Sequence, residues 1–329
     1  MIKKFRSKFD EFINKWNDFL VVHHYDTDGI CSASLVSIAL EIRGKKYKNL
    51  SLSQYDEDGW RMVLKHSSKY KNAIFLDLAS INRNIIEAFE RVMIIDHHQL
   101  KNYPNYVVYI NPRLKNSNVY IPCSYIIEKI LNLKEFRWIG IVGTIGDMGF
   151  DLLKKFNISE KNWKKTKLGK IAMVIDSVKV IGGKKACEKI VKFIAKSNSP
   201  NDVLKNYGKF YIKYKKELLR LIKDFKRNKK VINDFIIYRI FSKYNFSSTL
   251  ATILSRKFKN KTLVISQKEK NGSIKVSLRS SRLDLTDFLD KVLKDIKATY
   301  GGHPQASGIT FSNEKEFSRF LEKIKSFYS

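Results

Sequence analysis

Two carboxylates one residue apart, Asp26 and Asp28, follow the apolar run FLVVHHY and stand directly before Gly29. Similar placements recur along the first half of the chain. Asp77 ends IFLD, Asp96 with His97 and His98 ends MIID, and Asp147 sits in GTIGDMG. An apolar run has no structural need to finish in three ionisable groups, so the Asp-His-His triplet marks chemistry rather than packing. In open parallel sheets the carboxyl ends of the strands border the ligand crevice, and acids from distant positions converge there. Carboxylates gathered in that way repel one another and raise each other's pKa unless cations neutralise them, so bound metal is implied. Oxygen donors with some imidazole nitrogen and no thiolate suit Mn²⁺ or Mg²⁺, with Mn²⁺ preferred because histidine participates. Two such ions about 3.5 to 4 Å apart share a carboxylate and activate water for in-line attack on phosphorus.

Other acidic and imidazole groups carry less. A calcium loop is excluded at Asp26-Thr27-Asp28-Gly29 because Gly29 comes too early and only ICSASL follows. Asp56-Glu57-Asp58-Gly59 looks like a second copy, but it follows the polar SLSQY and precedes no apolar helical run, so a solvated turn is expected. His66 is expected at the surface. His23 alternates with His24 and is assigned to the core on the opposite face of its strand.

The elements that must position these residues are legible as alternating short apolar runs and amphipathic segments, the pattern of a mostly parallel sheet with helices on both faces. Phe19–Tyr25 leads into a helix from about Ile30 to Ile42, and Asn72–Leu78 into NRNIIEAFER; RVMIIDHH and VVYIN follow as strands. Cys123–Leu133 and Phe136–Ile145 read as helices, the second with Gly140 and Gly143, and Gly146 just beyond it, allowing close approach. From residue 151 to 230 there are 24 Lys and Arg against seven Asp and Glu, a net of +17, which describes a basic helical connector. Val203, Tyr207, Phe210, Tyr214, Leu218, Leu221 and Phe225 fall on one face of a long helix, and that spacing favours packing over base stacking for the aromatics. FIIYRIF, TLVISQ and SIKVSLRS then read as strands, with LATILSRKF and LTDFLDKVLKDI as helices. The expected division is residues 1–150, a basic helical connector 151–232, and a smaller α/β domain 233–329.

Charge points to the partner. Lys and Arg outnumber Asp and Glu by 63 to 32, and the resulting +31 calls for a polyanion, with a lysine-rich solvated surface as the competing explanation. Cys31, Cys123 and Cys187 are scattered and form no CxxC pair, so neither a disulfide framework nor a zinc site is indicated. No stretch approaches the ~20 apolar residues of a membrane span, and a cytoplasmic location is expected.

Asp26-Thr27-Asp28-Gly29, Asp77, Asp96-His97-His98 and Asp147, in this order, resemble the motifs of the DHH phosphoesterase superfamily. VSLRS (276–280) and YGGHPQASG (300–308) resemble the DHH-associated C-terminal domain of its RecJ-like and oligoribonuclease branch, and an archaeal member is expected. The resemblance implies that Asp26, helped by His24, holds one metal and that Asp28, His97 and Asp147 hold the other. It places Asp77 between the two, His98 on the scissile phosphate, and Asp96 behind a histidine. It also implies that Arg279 and His303 grip substrate phosphate from the second domain, where Gly301 and Gly302 belong to a glycine-rich loop closing over it; many relatives carry a longer run of glycines there.

The activity implied is a two-metal phosphodiesterase, a RecJ-like exonuclease releasing nucleoside monophosphates from single-stranded DNA or RNA. Two alternatives stay open: a phosphodiesterase of short oligonucleotides, cyclic dinucleotides or nucleotide bisphosphates, and a binding component of a replication or repair assembly. The manganese pyrophosphatases of the family carry a different second domain without the GGH segment. The basic connector favours a polymer, because neutralising successive phosphates supplies sequence-independent affinity. A firm grip on long strands is expected to call on replication or repair proteins or another RecJ-like subunit.

Overall fold

The computed structural model describes residues 1–53 and 57–327, which fall into two compact units, Met1–Ile212 and Lys213–Ser329. The first holds α1 (Ile2–Lys15), β1 (Asp18–His24), α2 (Thr27–Ile42), β2 (Lys46–Leu52), α3 (Glu57–Ser67), β3 (Asn72–Leu76), α4 (Arg83–Glu87), β4 (Arg91–Ile95) and β5 (Val108–Ile110). These are followed by α5 (Cys123–Leu131), α6 (Arg137–Gly146), α7 (Lys167–Ala195) and the start of α8 (Pro200–Asn228), inside which the division falls.

The first sheet has the order β2-β1-β3-β4-β5, and every neighbouring pair is parallel. Alternation sorts its side chains. Phe19, Val21, Ile74, Leu76, Met93 and Ile95 join α1, α2, α5, α6 and α7 in one core, whereas Leu20, Val22, Ala73, Phe75, Val92 and Ile94 pack with α3 and α4 in the other. Helix α2 is buried from Thr27 through Leu40, and its small residues, Gly29, Cys31, Ser32, Ala33 and Ser34, let neighbouring elements come close. At Gly29 a Cβ would overlap the His24 carbonyl, so only glycine lets α2 start this near the end of β1.

The basic stretch contributes to this unit directly. Ile171, Val174, Ile175, Val178, Cys187, Ile190 and Val191 of α7 are buried in the first core. Helix α7 is kinked at Gly183, whose φ is 65°.

The second unit takes the rest of α8, then β6 (Lys230–Ile232), β7 (Phe235–Ile240), α9 (Ser247–Ser255), β8 (Thr262–Lys268), β9 (Ile274–Arg279), α10 (Leu285–Val292), β10 (Ala298–His303), β11 (Ala306–Phe311) and α11 (Glu314–Ser326). Its sheet runs β10-β11-β9-β8-β7-β6, antiparallel except for β7 with β8. The mixed α/β architecture with a parallel amino-terminal sheet and a smaller second domain is the expected fold class.

Local expectations differ in four places. Helix α2 begins at Thr27, so Asp28 lies in its first turn and Asp26 is its N-cap, accepting a hydrogen bond from Gly29 N at 3.0 Å. Glu57, Asp58 and Gly59 open α3 rather than a turn, their acids suiting a helix N-terminus; Asp56 lies outside the described residues. His66 is half-buried, its ring edge against Tyr70. Gly301 and Gly302 lie within strand β10, paired with Gly308 and Ser307, so the segment expected as a loop is one arm of a hairpin. Gly302, at φ 146°, has no room for a Cβ against Ala306 and Ser307 of the other arm, which explains glycine there without a loop.

Candidate metal centre

Sheet register assembles the site. His23, Leu76 and Ile95 lie abreast on β1, β3 and β4, and Ile95 pairs with Ile110 of β5. The next residues, His24, Asp77, Asp96 and Asn111, therefore form a row past the carboxyl edge of the sheet. Backbone bonds from Asp77 N to Ile95 O (3.1 Å) and from Asp96 N to Ile110 O (3.0 Å) extend the ladder to hold them. Asp77 adopts φ 58°, a left-handed conformation that aspartate tolerates better than most residues.

Three groups of donor atoms result, each lying within 4.8 Å of one another: His24, Asp26 and Asp77; Asp28, His97 and Asp147; and Asp77, His97 and His98. His24 Nδ1 lies 2.9 Å from Asp26 Oδ2 and 3.8 Å from Asp77 Oδ2. His97 Nε2 lies 3.2 Å from Asp77 Oδ1 and 3.4 Å from Asp147 Oδ2. Asp77 belongs to two groups, and His97 likewise joins two. Asp96 stands outside them and binds His98 twice, accepting from its backbone N at 3.1 Å and pairing with Nδ1 at 2.7 Å.

The electrostatics ask for cations. Burial, then the charge of Asp147, pushes Asp28 up to about 8, and burial with the surrounding carboxylates lifts Asp77 well above the usual range. Burial also raises Asp147, to about 6, against the hydrogen bond from Tyr120. Asp26 is held low despite its burial by the charge and hydrogen bond of His24. Among the described residues no Lys or Arg forms an ion pair with Asp26, Asp28, Asp77 or Asp147; histidines are the partners of Asp26, Asp77 and Asp147. Burial drives His97 down to about 4, so it is a neutral imidazole with a lone pair to donate. Burial disfavours a charged His98, but Asp96 outweighs this and raises its pKa. Four carboxylates and the neutral His97 imidazole, with no lysine or arginine ion-paired to them, fit divalent metal. The buried thiols Cys31 and Cys123 are pushed well up by burial and stay protonated, Cys123 donating to Ile95 O at 3.2 Å.

Several supporting groups were not read from the sequence. Both Asp28 oxygens face the N-terminus of α5, accepting from Cys123 N (2.7 Å), Ser124 N (3.0 Å) and Ser124 Oγ. Tyr120 Oη donates within reach of both Asp147 Oδ2 (2.5 Å) and Asp147 O (2.7 Å), and its ring stands edge-on to His97. Arg113 Nε donates to His97 O at 2.9 Å and Asn111 Nδ2 to His98 O at 3.1 Å, fixing the histidine pair through its backbone. Lys179 of α7 lies over the Tyr25 ring and pairs with Asp176 at 2.6 Å; burial opposes its charge, but Asp176 and Asp26 hold it protonated. The only cue in the sequence was Pro122 before Cys123-Ser124, which announces a helix start but not its anion.

Within the second unit, Ala306 of β11 lies abreast of both Arg279 and His303, so these two residues share one end of that sheet. His303 and Gly301 are exposed, while Arg279 donates to Leu278 O (2.7 Å) and Ser248 Oγ (3.2 Å) and has no carboxylate partner among the described residues. A cavity of about 430 Å³ opens there, lined by Arg256, Lys259, Lys261, Arg279, Ser280 and Gln305 among others.

Comparison with known proteins agrees with this anatomy. Residues 18–141 match the DHH family, N-terminal domain, and residues 234–329 match the DHHA1 domain. The chain belongs to the DHH phosphoesterase superfamily, and its fold is RecJ-like. RecJ from Thermus thermophilus in complex with Mn²⁺ superposes with a TM-score of 0.74 at 14% identity over 99% of this chain and 54% of that one. This chain therefore spans about half the length of that protein. An exonuclease RecJ bound to manganese gives 0.73 at 15% identity, covering 99% of this chain and 94% of that one. CDC45 from Entamoeba histolytica gives 0.63 at 11% identity, covering 98% of each. No curated protein matches the sequence. No helix among the described residues is long and apolar enough to cross a membrane. Family and site together support a metal-dependent phosphoesterase.

Proposed function

We propose that this protein is a RecJ-like exonuclease that hydrolyses single-stranded DNA or RNA to nucleoside monophosphates, with two manganese ions as cofactor and magnesium as the alternative. The observation carrying the reading is the cluster in which Asp77 joins His24 and Asp26 on one side and His97 and His98 on the other, while His97 also meets Asp28 and Asp147. His24, Asp26 and Asp77 would hold one ion and Asp28, His97, Asp147 and Asp77 the second. Such a pair, when bound, neutralises the phosphodiester and lowers the pKa of a water. His98, whose Nδ1 pairs with Asp96 and whose pKa that carboxylate raises against burial, contacts a phosphate oxygen and offsets the charge that develops on it. In the second unit Arg279 and His303 contribute phosphate contacts. The net +17 between residues 151 and 230 supports a polymer over a single small anion. A cytoplasmic protein working with replication or repair partners fits this reading.

The test is a timed digestion of strands labelled at either end, DNA and RNA in parallel, with Mn²⁺ and with chelator. Mononucleotides should appear from one end only, and chelator should stop their release. Intact long strands alongside a cleaved dinucleotide would replace this reading with that of a short-oligonucleotide phosphodiesterase.

A further inference from the structure

The kink of α7 at Gly183 lets the Phe210 ring of α8 lie against Gly182, where a Cβ would crowd it. Around this crossing three aromatic rings form a continuous surface. Phe193 and Tyr207 have centroids 5.1 Å apart, and Tyr207 and Phe210 lie 5.7 Å apart and nearly parallel, at 20°. The surface borders a cavity of about 340 Å³, flanked by Lys189 of α7 and Lys209 of α8 and edged by Asn206. No carboxylate lines it. Among the described residues Lys189 and Lys209 have no ion pair and the Tyr207 hydroxyl has no hydrogen-bond partner. Asn206 Nδ2 donates to Asp202 O at 2.9 Å, which leaves its Oδ1 available as an acceptor.

Helical spacing explains why Tyr207 and Phe210 lie on one side of α8, but not why they and Phe193 of α7 stay half-exposed beside two unpaired cations. Buried positions on the same face, such as Val203, show what complete packing looks like. The same turn of α7 also reaches the edge of the metal centre. Cys187 Sγ contacts Tyr25 O at 3.7 Å, one residue before Asp26, and Glu188 binds the end of β2 through Ser51 N (3.3 Å) and Asn49 Nδ2 (3.0 Å).

We propose that the α7–α8 cavity binds one base of a single-stranded nucleic acid, stacked against Tyr207 and Phe210, with Lys189 and Lys209 neutralising the phosphates on either side of it. An aromatic floor takes any base, and the lysines supply affinity independent of sequence. The proposal rests on the polymer reading given above and adds to it a contact away from the scissile phosphate, contributed by the first unit alone.

The test measures binding of a fluorescent oligothymidylate strand by anisotropy in chelator, and cleavage of a dinucleotide in Mn²⁺. Tyr207→Leu should weaken strand binding roughly tenfold by removing one stacking partner. An abasic strand of the same length should bind this variant and the unaltered protein alike. The double change Lys189→Gln and Lys209→Gln, at exposed positions, should flatten the log–log salt dependence of strand binding by about 0.7 for each lysine. Dinucleotide cleavage should stay unchanged in all variants. Equal strand affinity and salt slope across the variants would overturn the cavity proposal while leaving the exonuclease reading intact. Parallel loss of dinucleotide cleavage would overturn it too, by showing a structural role. Absence of strand binding by the unaltered protein would remove both.

Discussion

Asp77 illustrates how much one residue is asked to do. It is buried, sits in the left-handed region, and faces histidines from both β1 and the segment after β4. Asp77→Asn preserves shape and the tolerance for positive φ while removing the charge, so the expectation is loss of phosphodiesterase activity and of calorimetric metal binding, with a metal-free thermal melting temperature no lower than that of the unaltered protein. Full activity in that variant would refute the role of Asp77 between the metals. Asp77→Ala should add backbone strain of about 1 to 2 kcal/mol to the same loss. Tyr120 acts at one remove. With its hydroxyl gone in Tyr120→Phe, Asp147 loses a hydrogen bond that fixes its orientation, and metal affinity should fall by roughly 10- to 100-fold, as for other partners of metal ligands. Titration calorimetry would read this directly, and unchanged affinity would relegate the bond to packing.

At the scale of elements, the meeting of α5 and α6 decides where Asp28 points. Gly143 of α6 lies against Ser124, and Ser124 together with Cys123 holds the Asp28 carboxylate at the start of α5. A Cβ at residue 143 would overlap Ser124 Oγ, so Gly143→Ala should cost about 1 to 3 kcal/mol through overpacking and weaken metal binding in the same variant. Gly208, on α8, has open space around its missing Cβ, and Gly208→Ala should leave metal binding alone and stabilise the helix by about 0.5 to 1 kcal/mol. Denaturant melts of the two variants give the comparison. If both behaved alike, close approach of α6 would not be what orders Asp28.

For the molecule as a whole, the carboxylate cluster couples stability to pH. Asp28 at about 8, Asp147 at about 6 and Asp77 well above its usual value keep protons that the unfolded chain, with aspartates near about 3.9, has already released. Above about pH 6.5, where the depressed His23 and His97 no longer act in the opposite sense, and up to about pH 8, the folded metal-free protein therefore binds more protons than the unfolded one, and its stability should fall as pH rises through that window. Divalent metal replaces those protons, so saturating Mn²⁺ should flatten or reverse the trend and raise the melting temperature most at the alkaline end. Melts at several pH values with chelator and with metal test this, and a metal-free protein that gains stability toward pH 8 would contradict the clustering of charge.

The site was legible in the sequence where chemistry and strand endings coincide. Asp26, Asp28, Asp77, Asp96-His97-His98 and Asp147 each interrupt or follow an apolar run, and a parallel sheet brings such endings to one edge whatever the loops between them do. The α/β class, the two sheets and the apolar faces followed from the same periodicities, because period-two and helical patterns are local properties. Ser124, Tyr120, Arg113 and Lys179 carry no such mark. Apart from Asp176 beside Lys179, their partners are 16 to 154 residues away in sequence, so only tertiary packing selects them from many similar serines, tyrosines and cations. The same holds for the glycines at 301 and 302, whose types announced a special backbone but whose strand conformation depends on the pairing of β10 with β11. The aromatics of α8 show the division within one helix: spacing fixed which residues share a face, while packing against α7 decided that Tyr207 and Phe210 border a cavity and Val203 is buried. Local sequence determines the shape of each element; which side chains meet is a property of non-local contacts, and these form only once the elements pack.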